Sequence, residues 1–209
     1  MKKNLFIAAL AMFAMGANAQ VVNTVDGYQQ GDRIEKDGIA YELLEVGNGN
    51  PVKVLEAIAD EVTVQEAFTL TTEPYNVTDF AAGLANKDLT KVTATADEPI
   101  TLPGEAFFSA VSYEEGNLVV PEASITKYAK ADVWKKFMKK WTDNGKLLGD
   151  VDGNGKISNN DYAKLLEIYL EDDEDLYDPM FDMDGNGKIT NNDVAKVLEL
   201  YLADLDYDL

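Results

Sequence analysis

Residues 150–170, DVDGNGKISNNDYAKLLEIYL, return as residues 182–202, DMDGNGKITNNDVAKVLELYL, at a constant offset of 32 and with 16 of 21 positions identical. A repeat this clear constrains its segment before any finer reading, because both copies should form the same structural unit. Each copy opens with oxygen-bearing residues at alternating positions and then a glycine, the pattern of a twelve-residue cation loop. In the first copy Asp150, Asp152 and Asn154 offer side-chain oxygens at positions one, three and five. Gly155 at six permits the sharp turn, Lys156 at seven offers its carbonyl, and Ser158 at nine acts directly or through water. Asp161 closes the loop at twelve, where a bidentate carboxylate is needed. The second copy repeats this with Asp182, Asp184, Asn186, Gly187, Lys188, Thr190 and Asp193. Three carboxylates with neutral oxygens suit a hard, high-coordination ion and favour Ca²⁺ over Mg²⁺. Without a cation the three aspartates repel one another. The expectation is two Ca²⁺ ions, with Ile157 pairing with Ile189 to tie the loops together.

What flanks the loops narrows the reading further. After each loop, apolar residues recur at helical spacing: Tyr162, Leu165, Leu166, Tyr169 and Leu170, then Val194, Val197, Leu198, Tyr201 and Leu202. Before Asp150 stands TDNGKLLG, with two glycines, and before Asp182 stands LYDPMF, with Pro179 three residues from the loop. Neither stretch favours the helix that enters the loop of an EF-hand. Loop–helix, linker, loop–helix over about 147–204 resembles a dockerin domain. The resemblance implies an EF-hand-like but shortened module, 143–209, that docks into a cohesin-type partner module. It also implies a partner-binding surface formed by Asn159, Asn160, Leu166 and Glu167 in one copy and Asn191, Asn192, Leu198 and Glu199 in the other. Near-identity of the two sets implies binding in two orientations. The chain places amides and an acid where hydroxyl and basic residues are usual in that family.

The beginning of the chain reads as an address. Met1 to Lys3 make a short positive start, Leu5 to Met15 an apolar run of eleven, and Ala17-Asn18-Ala19 a small-residue cleavage motif before Gln20. This is the layout of a secretory signal over 1–19, with an apolar run too short to span a bilayer. Export to the periplasm, cell surface or medium is expected, with no integral membrane segment after cleavage.

Charge and composition remove other classes. The chain carries 38 acidic against 18 basic residues, a formal charge of −20, which disfavours nucleic acid and anionic lipid as partners. Absence of Cys and His excludes disulfides, thiolate nucleophiles, histidine bases and Cys/His zinc sites. The linker EDDEDLYD (171–178) reads as a solvated acidic face.

Residues 20–142 change period from 3.6 towards two. Alternating segments rich in Val, Ile, Thr and Tyr, at 38–46, 52–56, 62–70 and 89–95, predict strands, with turns at GNGNP (47–51) and TADEP (95–99). Trp134, Phe137, Met138 and Trp141 fall at i, i+3, i+4 and i+7 and predict an amphipathic helix closing the core, with Lys135, Lys136, Lys139 and Lys140 on its other side. The run LVVPEASITKYAKADVWKKF (118–137) looks like the closing segment of BspA-type leucine-rich-repeat proteins. IEKDGIAYELL (34–44) and VTDFAAGLANKDLTKVTA (77–94) are similar to that family's first strands and repeat unit. The resemblance implies a short, degenerate solenoid that recognises protein or glycan. A β-sandwich is the structural alternative.

No Gly-rich phosphate loop, GxSxG elbow or histidine metal motif is present. The carboxylates of the N-terminal region show no spacing that pairs them for glycoside hydrolysis. The expected fold is therefore α+β: a β-rich, leucine-rich-repeat-like N-terminal domain followed by a small all-α dockerin with two Ca²⁺-loop–helix repeats. The expected function is a secreted, non-enzymatic binding protein tethered through cohesin. The alternative is an accessory carbohydrate-binding subunit of a complex engaged in polysaccharide catabolism.

Overall fold

The computed structural model describes residues 24–80, 83–171 and 173–205. The signal segment expected at 1–19 lies outside them. Strand β1 (Arg33–Lys36) and strand β2 (Ile39–Leu43) form a hairpin across Asp37-Gly38, both at positive φ, 50° and 82°. A two-residue turn of that hand matches the twist of the strands it joins. Strand β3 (Pro51–Ala57) lies antiparallel to β2. Strand β4 (Glu61–Val64) leaves for a second sheet, while β5 (Ala67–Thr69) stays in the first beside β6 (Pro74–Phe80). The order of the first sheet is β1-β2-β3-β6-β5, with β3 and β6 parallel. The single strand expected over 62–70 is thus two strands serving two sheets.

The second sheet is a parallel ladder in chain order: β4, β7 (Lys91–Ala94), β8 (Asn117–Val120) and β9 (Lys139–Thr142). Parallel neighbours need crossovers. Helix α1 (Ala110–Glu114) lies in the crossover before β8 and helix α2 (Ile125–Lys130) in that before β9. The register aligns Val62, Val92, Leu118 and Lys140 in one buried row, and Val64, Ala94, Val120 and Thr142 in the next. Three rungs of each row are apolar; the last, on β9, is polar. Below the ladder Phe108 meets Phe107, Tyr113, Trp134 and Phe137 with ring centroids 4.9 to 5.8 Å apart.

The amphipathic helix expected over 134–141 is absent. Val133 takes φ 70°, a left-handed value that a β-branched residue adopts only under constraint, so the chain cannot continue helically out of α2. Trp134–Lys136 make a single 3-10 turn, Phe137 is extended, and β9 follows. Trp134 and Phe137 are fully buried as expected, with the Trp134 indole donating to the Ile100 carbonyl at 2.8 Å. Trp141 instead sits on β9 and donates to Asn117 Oδ1 at 2.9 Å, while Lys140, expected on a solvated face, points into the core.

Helix α3 (Asn159–Glu171) and helix α4 (Asn191–Leu205) follow the two loops and pack against each other. The expectation of a separate, all-α C-terminal domain is overturned. The chain is mixed α/β, with two sheets and four α-helices among the described residues. Leu165, Met180, Met183, Val194 and Val197 belong to the same buried cluster as Trp134, Phe137 and Leu118. Two helices with one apolar stripe each enclose too little surface to close a core alone. Here they bury it on the end of the parallel ladder. The connection is also polar: Leu148 N–H donates to the Lys140 carbonyl and Gly149 N–H to the Met180 carbonyl, each at 2.8 Å. Among the described residues no helix is long and apolar enough to cross a membrane.

Candidate metal centre

Both loops are built by their own aspartates. Asp150 Oδ1 accepts from Gly153 N–H at 2.9 Å and Asn154 N–H at 3.0 Å, and its Oδ2 accepts from Gly155 N–H at 2.6 Å. Asp152 Oδ1 accepts from Asn154 N–H at 3.1 Å, and Asn154 Oδ1 from Lys156 N–H at 3.0 Å. In the second loop Asp182 accepts from Asn186 and Gly187 N–H at 3.1 and 2.7 Å. Asp184 and Asn186 repeat the contacts of Asp152 and Asn154. Backbone amides on the outside hold the carboxylates in place and leave oxygens facing one another.

The closing aspartates have a second task. Ser158 Oγ accepts from Asn160 N–H at 3.2 Å, and Asp161 Oδ2 accepts from Ser158 N–H at 2.8 Å. This is a reciprocal cap at the start of α3. Thr190 and Asp193 do the same for α4, at 3.3 and 2.7 Å. Meanwhile Asp161 Oδ1 accepts from Asp152 N–H at 3.0 Å, and Asp193 Oδ1 from Met183 N–H at 2.8 Å. One carboxylate therefore closes the loop and starts the helix. The cap is legible in the sequence as S-N-N-D and T-N-N-D.

The result is two matched carboxylate clusters. One oxygen from each of Asp150, Asp152 and Asp161 lies within 4.8 Å of the others, and the same holds for Asp182, Asp184 and Asp193. Each cluster can hold a metal ion. Asn154 and Asn186 sit in the same loops with exposed side chains. Lys156 and Lys188 are exposed, at the positions where a carbonyl ligand is expected. Ser158 and Thr190 hydroxyls donate to Asp161 and Asp193 Oδ2, each at 2.7 Å. Ile157 and Ile189 both pack against the core, but no β-bridge joins them.

The loops are equal in sequence and unequal in setting. Asp152 and Asp184 are both half-buried and Asp161 and Asp193 both fully buried; the difference is at position one, where Asp150 is half-buried and Asp182 fully buried. Tyr177, before the loop, and Gly185, within it, set the second loop apart. Tyr177 donates its hydroxyl to Asp182 Oδ2 at 3.1 Å, and desolvation followed by the Asp182 charge pushes this phenol up to about 12. Gly185 lies against α2: a Cβ there would stand 2.2 Å from the Thr126 carbonyl oxygen. Gly153, the equivalent residue of the first loop, has nothing within 4 Å of that position. Of the residues expected to meet a partner, Asn159, Asn160, Glu167, Asn191, Asn192 and Glu199 are exposed. Leu166 and Leu198 are half-buried, Leu166 against the core.

No protein-family model matches the chain, and neither the curated proteins nor the solved structures give a match.

Proposed function

We propose that this is an exported, non-catalytic binding protein. Its two loops carry Ca²⁺, its loop–helix pair attaches it to a cohesin-type module, and its β-rich part recognises a protein or glycan. The donor set favours Ca²⁺: three carboxylates with amide, hydroxyl and carbonyl oxygens around a flexible twelve-residue loop suit a large, oxygen-preferring cation. The observation that carries the docking role is the matched exposure of the repeats. Asn159, Asn160 and Glu167 on α3 correspond to Asn191, Asn192 and Glu199 on α4, and all six side chains meet solvent. Leu170 and Leu202, also equivalent, are 70% and 49% exposed. Apolar side chains left in water beside polar ones at repeated positions suit contact with another protein.

The test is binding of the full chain to a panel of purified cohesin modules, with Ca²⁺ or with EDTA. The expected result is capture only in Ca²⁺, weakened at least about ten-fold when Asn159, Asn160, Asn191 and Asn192 are all replaced by Ala. Capture that survives EDTA or the fourfold substitution unweakened would refute the docking surface.

A further inference from the structure

Where α4 meets the end of the parallel ladder there is an open cavity of about 170 Å³, with Phe137, Met183 and Leu200 in its lining. Four lysines line it, Lys135, Lys136, Lys140 and Lys196, against a single acidic residue, Glu199. Two of the four are already paired: Lys135 with Asp132 at 2.7 Å and Lys136 with Glu105 at 2.5 Å. The other two are not paired with any carboxylate of the described residues. Lys140 is only 6% exposed and donates to the Phe137 carbonyl; Lys196 donates to the Met183 carbonyl at 3.4 Å. In a chain with 38 acids, two lysines line one hollow with only backbone carbonyls as acceptors for their ammonium groups. Holding one buried ammonium beside a second, half-exposed one is costly unless a counter-charge enters.

We propose that this cavity binds a small oxyanion, a carboxylate or sulfate-like group, between Lys140 and Lys196. Its volume admits such a group or the acidic end of a short organic acid, with Phe137, Met183 and Leu200 as its apolar lining. Charge-assisted hydrogen bonds from two ammonium groups supply the affinity. The site borders the second loop through Met183, whose N–H donates to Asp193, and shares Glu199 with the proposed docking surface, but its ligand is an anion rather than a cation or a protein.

Protonation gives the site a signature. Burial, and then the charge of Lys196, lowers the Lys140 ammonium to about 7. A bound anion restores the proton, so affinity is highest below pH 7 and falls as the pH rises through it. The other charged groups lining the cavity are Lys196 and Glu199 from α4, and Lys135 and Lys136 from the turn before β9, whose own partners are Asp132 and Glu105. Lys139 alternates to the opposite face of β9. With no His and no Cys in the chain, no other side chain of ordinary pKa titrates between pH 6 and 8.5.

The experiment is a titration of the Ca²⁺-supplemented full chain with sodium acetate and, separately, sodium sulfate. Ionic strength is held constant with chloride, and the readout is NMR shifts of the lysine ammonium and Met183 methyl groups. The expected result is saturable binding of at least one oxyanion, weaker by an order of magnitude or more at pH 8.5 than at pH 6. Lys196→Gln and Lys140→Met should each weaken it about ten-fold. Lys196 lies on the helix surface, so its variant keeps the test open if Lys140→Met fails to fold. Binding of acetate alone identifies a carboxylate site and of sulfate alone a tetrahedral-anion site. Shifts that never saturate, that chloride reproduces, or that both variants retain would overturn the proposal.

Discussion

Chelation is expected to lower the melting temperature of this protein by more than 10 °C. In each loop three carboxylates offer oxygens within 4.8 Å of one another, and nothing else in the loop carries a compensating positive charge towards them. A cation that binds only the folded state at a thousand-fold excess over its Kd stabilises by about 4 kcal/mol per site. In a chain of this size each kcal/mol is worth about 2–4 °C. The loops should not contribute equally. Asp193 takes the N–H of Met183, itself a core residue, whereas Asp161 takes that of the half-buried Asp152. Asp193→Asn is therefore expected to destabilise the whole chain more than Asp161→Asn. Thermal melts followed by near-ultraviolet circular dichroism, with Ca²⁺ and with EDTA, measure both effects. Melts that coincide with and without chelator would contradict this.

The second large effect comes from a single methyl group. Gly153 and Gly185 occupy the same place in the two loops with nearly the same backbone, φ 73° and 69°. Alanine at either site pays the left-handed penalty, about 1–2 kcal/mol. At Gly153 that is all, because the added Cβ meets open space. At Gly185 it would stand 2.2 Å from the Thr126 carbonyl oxygen and 3.1 Å from Lys130 Cβ. Either α2 or the loop must then move, at an added cost of about 1–3 kcal/mol. The difference between Gly185→Ala and Gly153→Ala, measured by urea unfolding, isolates the seating of the second loop on the β-rich part. Equal costs would show that the loop is not seated there in solution.

What was legible in the sequence was local. The ligand positions follow from spacing within twelve residues, and α3 and α4 follow from the apolar stripes after each loop. Pairing across the chain was not. The run 62–70 alternates except at Glu66, which falls in the apolar phase of Val62, Val64, Phe68 and Leu70; the chain divides there, β4 pairing with Lys91–Ala94 and β5 with Pro74–Phe80. Four apolar residues at i, i+3, i+4 and i+7 gave a helix at 134–141. They are instead distributed over a 3-10 turn, an extended link and a strand, because Val133 breaks the helical path. Lys140 reads as a surface residue by composition, and only the ladder register places it in a row with Leu118, Val92 and Val62. The role of Gly185 was hidden by redundancy, since the loop pattern asks for DGNG in both copies whether or not a neighbour presses on it. For the same reason a separate C-terminal domain was expected: the repeat is self-contained as a pattern, but its apolar stripes are closed by Trp134, Phe137 and the end of the ladder.

We propose that the doubled loops are two cation sites of a single folded chain. Isothermal titration of the full-length, chelator-stripped protein with CaCl₂ tests it most directly, with MgCl₂ as the comparison. The expected result is two equivalents of Ca²⁺, reduced to one by either Asp161→Asn or Asp193→Asn, with weaker heats from Mg²⁺. Absence of Ca²⁺ binding, or a stoichiometry that neither substitution changes, would contradict it.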